Sequence, residues 1–281
     1  IVQKNGLFGA INALGATEMY PKYKELYCVT RNVFCANGIN IDSRGLKVVY
    51  SEDKLVHIPD EYTSGELLEN GLVLVQEYNK YGCINQMGEI VIPVEYNSLK
   101  VCKNLIIASR NKENNYLGYC PELGVINFFN EVIIPFSDRY QEINISKKTI
   151  LYKENFKWGA FSHEGHLICD AKYAHISALT ENLIKVGMNG TEYDTYDDYY
   201  WEDGERHEFT NYNEYSVINW GIINCWGKEI LPNCYRDIYT TDNDNFIRIQ
   251  KGNRIGCADI TGKILLEPKY ASIGEFVDGH A

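Results

Sequence analysis

Four features are scarce in this 281-residue chain, and each scarcity removes a class of protein. No apolar run approaches the roughly 20 residues that a membrane-spanning helix needs, so membrane insertion by a helix is not expected. Paired cysteine spacings are missing: nine cysteines is an odd number, and Cys83, Cys102 and Cys257 lie within apolar alternation rather than in CxxC pairs. They read as small reduced core residues, not as a disulfide framework, which favours a cytoplasmic setting while leaving the location open. Basic residues are in deficit, 27 Lys and Arg against 38 Asp and Glu, and the net charge of −11 disfavours a nonspecific grip on nucleic acid or an anionic membrane. Helix-period stretches are hard to find. The chain also opens on Ile1 in mid-pattern, with no leader, and is expected to be a cut piece of a longer protein.

What is abundant is tyrosine, at 22 residues, joined by 10 Phe, 4 Trp and 23 Gly, a composition that suits twisted strands joined by tight turns. The apolar content of 45% is ample for a core. A repeat organises these residues, and Asn219 to Ile238 is its clearest copy. Counting each unit from an anchor glycine gives Gly9, Gly82, Gly124, Gly159, Gly221 and Gly256, with Ile39 in that slot of a degenerate unit, seven in all. Six positions on stand Gly15, Gly45, Gly88, Asn130, Gly165, Gly227 and Gly262, the residue types that tolerate positive φ, so this slot is predicted to be a hairpin turn. Three positions after the anchor come Asn12, Asp42, Asn85, Asn127, Ser162, Asn224 and Asp259, short side chains able to bond the backbone ahead of them.

Six of the seven prolines, among them Pro93, Pro232 and Pro268, fall where the second strand of each pair ends. A tyrosine slot follows at Tyr23, Tyr96, Tyr173, Tyr235 and Tyr270, with Tyr62 and Tyr140 equivalent after small insertions. Each tyrosine is expected to be half buried, with its hydroxyl bonded to an adjacent unit. The aromatic before the anchor (Phe8, Tyr81, Trp158, Trp220) is expected to fill space between units, and two further strands complete each unit. In the second unit nine extra residues between Gly45 and Pro59 are predicted to lengthen the hairpin with a charged stretch including Glu52, Asp53 and Lys54.

The segments around Trp158-Gly159 and Trp220-Gly221, with their downstream Gly, Pro and Tyr slots, resemble the WG repeat family of bacterial proteins. The resemblance covers almost the whole chain, except an insertion between Gly159 and Gly221 and the weak second unit. It implies a β-repeat architecture and a binding role, with no catalytic signature or cofactor to carry over. The favoured fold is all-β: a single domain over 1–281 forming a seven-bladed propeller of about four strands per blade, with an open β-hairpin solenoid as the alternative. The ends support a ring, because Ile273 to Ala281 followed by Ile1 to Gly9 would make a connection of 17 residues, against 16 from Ile143 to Gly159 and 18 from Ile238 to Gly256. An open array cut one period apart would give the same match.

The irregular part is an insertion of acidic, Tyr-rich character at 187–216. Its Tyr193, Tyr196, Asp197, Asp198, Tyr199, Tyr200, Trp201, Glu202 and Tyr212 are the candidate binding residues, since aromatic rings on a loop give large rigid contact area and the carboxylates favour a basic partner. An extended hairpin with a solvated acidic face is the plain alternative. His163, His166 and His175 cluster in sequence without a completing ligand, and Glu61 and Glu95 share a repeat slot, but neither set makes a metal or catalytic signature. The resulting expectation is a noncatalytic scaffold for a protein or peptide partner. An enzyme or small-ligand site in a central channel, or an accessory module of a longer protein, are the alternatives.

Overall fold

In the computed structural model the described residues are 1–30, 33–42, 45–51, 54–111, 121–202, 205–240 and 246–274, and every regular element among them is a β-strand. No helix among them is long and apolar enough to cross a membrane. The chain divides into two compact units, Ile1–Asp138 and Arg139–Ala281.

In the first unit, β1 (Val2–Lys4), β2 (Leu7–Ile11) and β3 (Thr17–Tyr23) form one sheet, and β4 (Leu26–Thr30), β5 (Val33–Ala36) and β6 (Ile39–Ile41) a second. The strands β7 (Val48–Ser51) and β8 (Lys54–His57) pair alone. Two four-stranded meanders follow: β9 (Ser64–Leu67), β10 (Val73–Glu77), β11 (Lys80–Ile84) and β12 (Ile90–Tyr96), then β13 (Ser98–Cys102), β14 (Leu105–Asn111), β15 (Pro121–Asn127) and β16 (Val132–Ser137). The second unit holds three more meanders. They are β17 (Tyr140–Ser146), β18 (Thr149–Glu154), β19 (Lys157–Ser162) and β20 (Leu167–Tyr173); β21 (His175–Ala178), β22 (Leu183–Glu202), β23 (Glu205–Asn224) and β24 (Glu229–Tyr235); and β25 (Asp237–Thr240), β26 (Phe246–Lys251), β27 (Arg254–Asp259) and β28 (Ile264–Tyr270).

The repeat core supplies the third and fourth strands of each meander, and the two strands that follow it open the next sheet, so the sequence period straddles two sheets. The turn between the third and fourth strands is built as the spacing predicts. In the Asn224 copy, Trp226 N–H and Lys228 N–H donate to Asn224 Oδ1 at 3.0 and 2.9 Å, and Gly227 takes φ of 80°. The residue in the glycine slot of the fourth copy, Asn130, has φ of 61°.

The Gly, Pro and Tyr slots form one device. Opposite Gly221 the pairing jumps from Trp220↔Tyr235 to Ile222↔Leu231, so Pro232, Asn233 and Cys234 bulge against a single residue. The bulge carries the fourth-strand backbone so close that a Cβ on Gly221 would lie 2.7 Å from the Leu231 carbonyl oxygen. Beyond it the tyrosine becomes the direct cross-strand partner of the aromatic before the anchor, as in Tyr81↔Tyr96 and Trp158↔Tyr173. Tyr140 departs from this pattern: it opens β17, and Ser137 takes the place opposite Leu123. At Tyr96 the hydroxyl donates to Asn130 Oδ1 of the following sheet at 2.9 Å, the bond expected of this slot.

Within each unit consecutive sheets pack face to face. Ala160, Ile168 and Tyr173 meet Ile184, Val186 and Ile223, and Leu231 and Tyr235 meet Ile238, Ile247 and Ile249. In the first unit Cys83, Ile92 and Tyr96 meet Ile106, Ala108 and Ile126. The extra residues after Gly45 differ from the expectation of a longer hairpin. They make the separate pair β7–β8, because Val49 and Val56 are buried with Ile58, Tyr62 and Val73 and hold the pair to the sheet beside it. Glu52 and Asp53 lie outside the described residues, as do residues 275–281, on which the expected joining of the two ends depends.

Candidate functional site: the β22–β23 ribbon

The 187–216 stretch forms the outer part of the β22–β23 hairpin, two strands of 20 residues paired without a register break from Leu183↔Asn224 to Glu202↔Glu205. The neighbouring strands stop early: β21 reaches only Gly187, and β24 only Trp220. From there to the tip the hairpin runs as a two-stranded ribbon, about 50 Å long at ~3.3 Å per residue.

Three polar contacts brace its base. The Asn233 amide, carried on the bulge, donates to Val186 O at 2.8 Å and Asn219 O at 3.1 Å, tying the fourth strand to both strands of the ribbon. Lys185 reaches across to Asp237 at the start of the next sheet, at 2.5 Å, and its ammonium stands 4.3 Å from the centre of the Trp220 ring. The His175 ring flanks the same tryptophan, with centroids 5.9 Å apart. Of these residues only His175, weighed as a metal ligand, and Trp220, expected to fill space between units, stood out in the sequence; Lys185, Asn233 and Asp237 did not. A signal existed for Asn233, because it is polar in a slot where the other units carry Pro21, Val94, Phe136, Ala171 and Pro268.

Strict pairing assigns every ribbon side chain to a face. One face carries Tyr193, Asp197, Tyr199, Trp201 and Tyr212; the other carries Tyr196, Asp198, Tyr200 and Glu202. The nine candidates are therefore on one ribbon but not in one patch. On the first face the Tyr193 and Tyr212 rings meet edge-on at 5.9 Å, Thr210 donates to Asp197 at 2.9 Å, and the Arg206 guanidinium covers Tyr199 at 4.4 Å while pairing with Glu208. On the second, Tyr200 stacks on His207 at 5.2 Å and leans on Phe209, and Tyr215 donates to Glu192 at 3.1 Å, which raises the Tyr215 pKa. Both faces are open to solvent; Trp201 is 65% exposed and Tyr212 67%.

The ribbon also concentrates charge. Residues 188–219 hold nine acidic side chains against one basic, Arg206, so eight of the chain's eleven net negative charges sit there. Among the described residues no group of three or more His, Cys, Asp or Glu is placed to hold a metal ion. Glu61 and Glu95 are both exposed. A cleft of about 580 Å³ in the same unit lies at the turns between sheets, lined by Glu181, Asn182, Trp226, Lys228 and Ile260. Its Trp226 stands at a turn slot that also exposes Leu14, Met87 and Phe129, a regularity visible in the sequence once the turns are aligned.

The family profile of the WG containing repeat matches residues 81–101 and 255–281. Two stretches of the chain are thus matched as WG repeats. The first match covers the third and fourth strands of the β9–β12 sheet, and the second begins inside β27, so both fall on the device of anchor glycine, bulge and tyrosine. No curated protein matches the chain. Similar solved structures include a eukaryotic initiation factor (10% identity, 92% of this chain and 61% of that one, TM-score 0.37) and Kluyveromyces marxianus Hsv2 (8%, 70% and 57%, 0.33). The WD40 beta propeller domain of Doa1 is also among them (9%, 85% and 79%, 0.27). The chain thus spans less than two thirds of the first two.

Proposed function

We propose that the WG repeats form a noncatalytic binding scaffold whose sheets are blades of a seven-bladed propeller, and that the β22–β23 ribbon is the element presented to a protein or peptide partner. The observation that carries this reading is the ribbon itself. Seven Tyr and Trp side chains, from Tyr193 to Tyr215, are held at least 40% exposed on a structure that adds nothing to the core. Exposed apolar surface costs solubility, and large exposed aromatic patches mark interaction sites. Tyr and Trp are also the side chains that dominate interface energetics. The acidic residues favour a basic partner through steering. The regular meanders, each packed on the next, support the propeller reading within each unit.

The test removes residues 189–215 and closes the shortened strands with Asn-Gly. Melting of the remaining sheets is expected to change by less than about 1 kcal/mol, since no ribbon side chain beyond Val217 belongs to a core cluster. Peptides selected from a displayed library on the intact protein are expected to lose binding to the shortened one. Selected peptides that bind both proteins equally would place the binding surface elsewhere.

A further inference from the structure

The ribbon has two edges as well as two faces, and they are not equivalent. On β22 the carbonyl oxygens of Leu183 and Gly187 accept from Leu179 N–H and Ala174 N–H, at 2.9 and 2.8 Å, so odd-numbered residues turn their backbone groups away from β23. The register continues unbroken to the tip. From Asn189 to Trp201, then, every second residue of β22 directs an N–H and a C=O outward, past the point where β21 has ended. Tyr199 bears this out: its N–H is taken by the neighbouring Asp198 carboxylate at 2.8 Å, as an amide facing open solvent would be. This edge is an unfinished sheet.

Charge distinguishes it from the β23 edge. Between 191 and 202, β22 carries Glu192, Asp194, Asp197, Asp198 and Glu202 with no basic residue, whereas β23 between 205 and 216 carries three acids and Arg206. Four of the five β22 acids point to the same face, interleaved with Tyr196 and Tyr200. A second copy of this ribbon would bring two strongly acidic edges together, with like charges opposite one another at positions such as Glu192 and Glu202, which destabilises pairing. An extended segment with Lys or Arg at every second position would set opposite charges there, with its lysines also within reach of two tyrosine faces.

We propose that the outer edge of β22, from Asn189 to Trp201, takes an extended basic segment as an added antiparallel strand. Backbone bonds to the outward N–H and C=O groups supply the register, and the carboxylates of Asp194, Asp198 and Glu202 select alternate Lys or Arg. This rests on the ribbon being the docking element and specifies how it docks.

The probe is a fluorescent 11-residue peptide alternating Lys and Thr, compared by anisotropy with a peptide of the same composition in which the lysines form one block. The alternating peptide is expected to bind roughly tenfold or more tightly than the block. Asp194→Asn and Asp198→Asn are each expected to weaken it about two- to fivefold, the range of a cross-strand charge pair. Thr195→Pro removes an outward N–H at an edge, where proline is tolerated, and is expected to weaken binding about tenfold while the ribbon and the melting profile persist. Equal affinity for the two peptides, or binding indifferent to Thr195→Pro, overturns strand addition while leaving the ribbon as the docking element. Equal binding to the protein lacking 189–215 overturns both. Absence of binding by the alternating peptide, or a ribbon-dependent dimer that Thr195→Pro dissociates, also overturns the proposal.

Discussion

Replacing Gly221 with alanine tests the account of the repeat most directly. Its φ lies outside the left-handed region, so alanine meets no intrinsic backbone strain there; whatever it costs must come from the bulge. The added Cβ would stand 2.7 Å from Leu231 O and 2.9 Å from both Asn233 N and Pro232 C, against 3.4 Å where ordinary contact begins. All three are backbone atoms, so relief needs the fourth strand to retreat by roughly half an ångström or more. That strand is held by the Asn233 bonds to Val186 O and Asn219 O and by the buried Leu231 and Tyr235 on either side of the bulge. A substitution forcing such a shift costs about 1–3 kcal/mol, which at ~2–4 °C per kcal/mol for a chain of this size lowers Tm by about 3–10 °C. Urea denaturation and thermal melting followed by tryptophan fluorescence measure both. The comparison is Gly190→Ala in the ribbon, where the nearest atom is the amide end of the Asn219 side chain, which can swing aside. If Gly221→Ala melts with the parent protein, or no lower than Gly190→Ala, the bulge does not explain the anchor glycine.

Two further outcomes follow from buried polar groups. Burial pushes the Tyr152 and Tyr173 hydroxyls up to about 12, while an unfolded tyrosine ionises near ~10. Their contribution to stability is therefore complete below pH ~10 and is lost as pH rises toward 12, because the unfolded chain gives up these protons first. Tm is expected to fall between pH 10 and about 12, and Tyr152→Phe to lessen the fall; a Tm that stays level, or a phenylalanine variant that falls equally, contradicts this. Arg248 is 4% exposed and donates to Ile273 O at 2.6 Å and to Gly274 O. Arg248→Met should cost about 2–3 kcal/mol and speed hydrogen exchange at 271–274, and unchanged exchange there would show that the arginine does not hold that segment.

The turns were legible in the sequence because their chemistry is local. An Asn, Asp or Ser three residues ahead of a positive-φ slot, as at Asn224 and Gly227, has few uses other than a tight turn. The strands flanking them were legible for the same reason as any half-buried strand, through runs such as Ile90 to Ile92. The bulge was only half legible: Gly221, Pro232 and Tyr235 stood out as separate slots, but that they oppose one another across two strands depends on register, which spacing alone does not reveal. The ribbon was the least legible element. Register is written into a strand by having one face buried and one wet, and here both faces are wet, so Tyr193 to Glu202 shows no alternation to separate an extended hairpin from a loop. Lys185 and Arg248 were hidden differently. They occupy the second-strand slot that holds Leu74, Ile107 and Leu151 in other sheets, and only pairing with Ile222 and Cys257 aligns them.

That shared slot bears on how a long ribbon stays on so regular a scaffold. A two-stranded hairpin is marginal in water by itself, and the outer ribbon has only its cross-strand pairs, such as Tyr193 with Tyr212, Tyr200 with His207 and Thr210 with Asp197, each worth about 0.2–1 kcal/mol. Its direction is therefore set at the base. Lys185 pulls β22 toward Asp237 of the next sheet, and Asn233 grips both strands from the bulge. Arg248, one sheet on in the same slot, uses its charge in the same sense, toward the segment that follows β28. A cation in this position links a sheet to what comes after it. In the β21–β24 sheet the link also fixes Trp220, the last ring packed against the core before the ribbon leaves it. The ribbon beyond can then bend or add a strand while its root stays in register with the repeat.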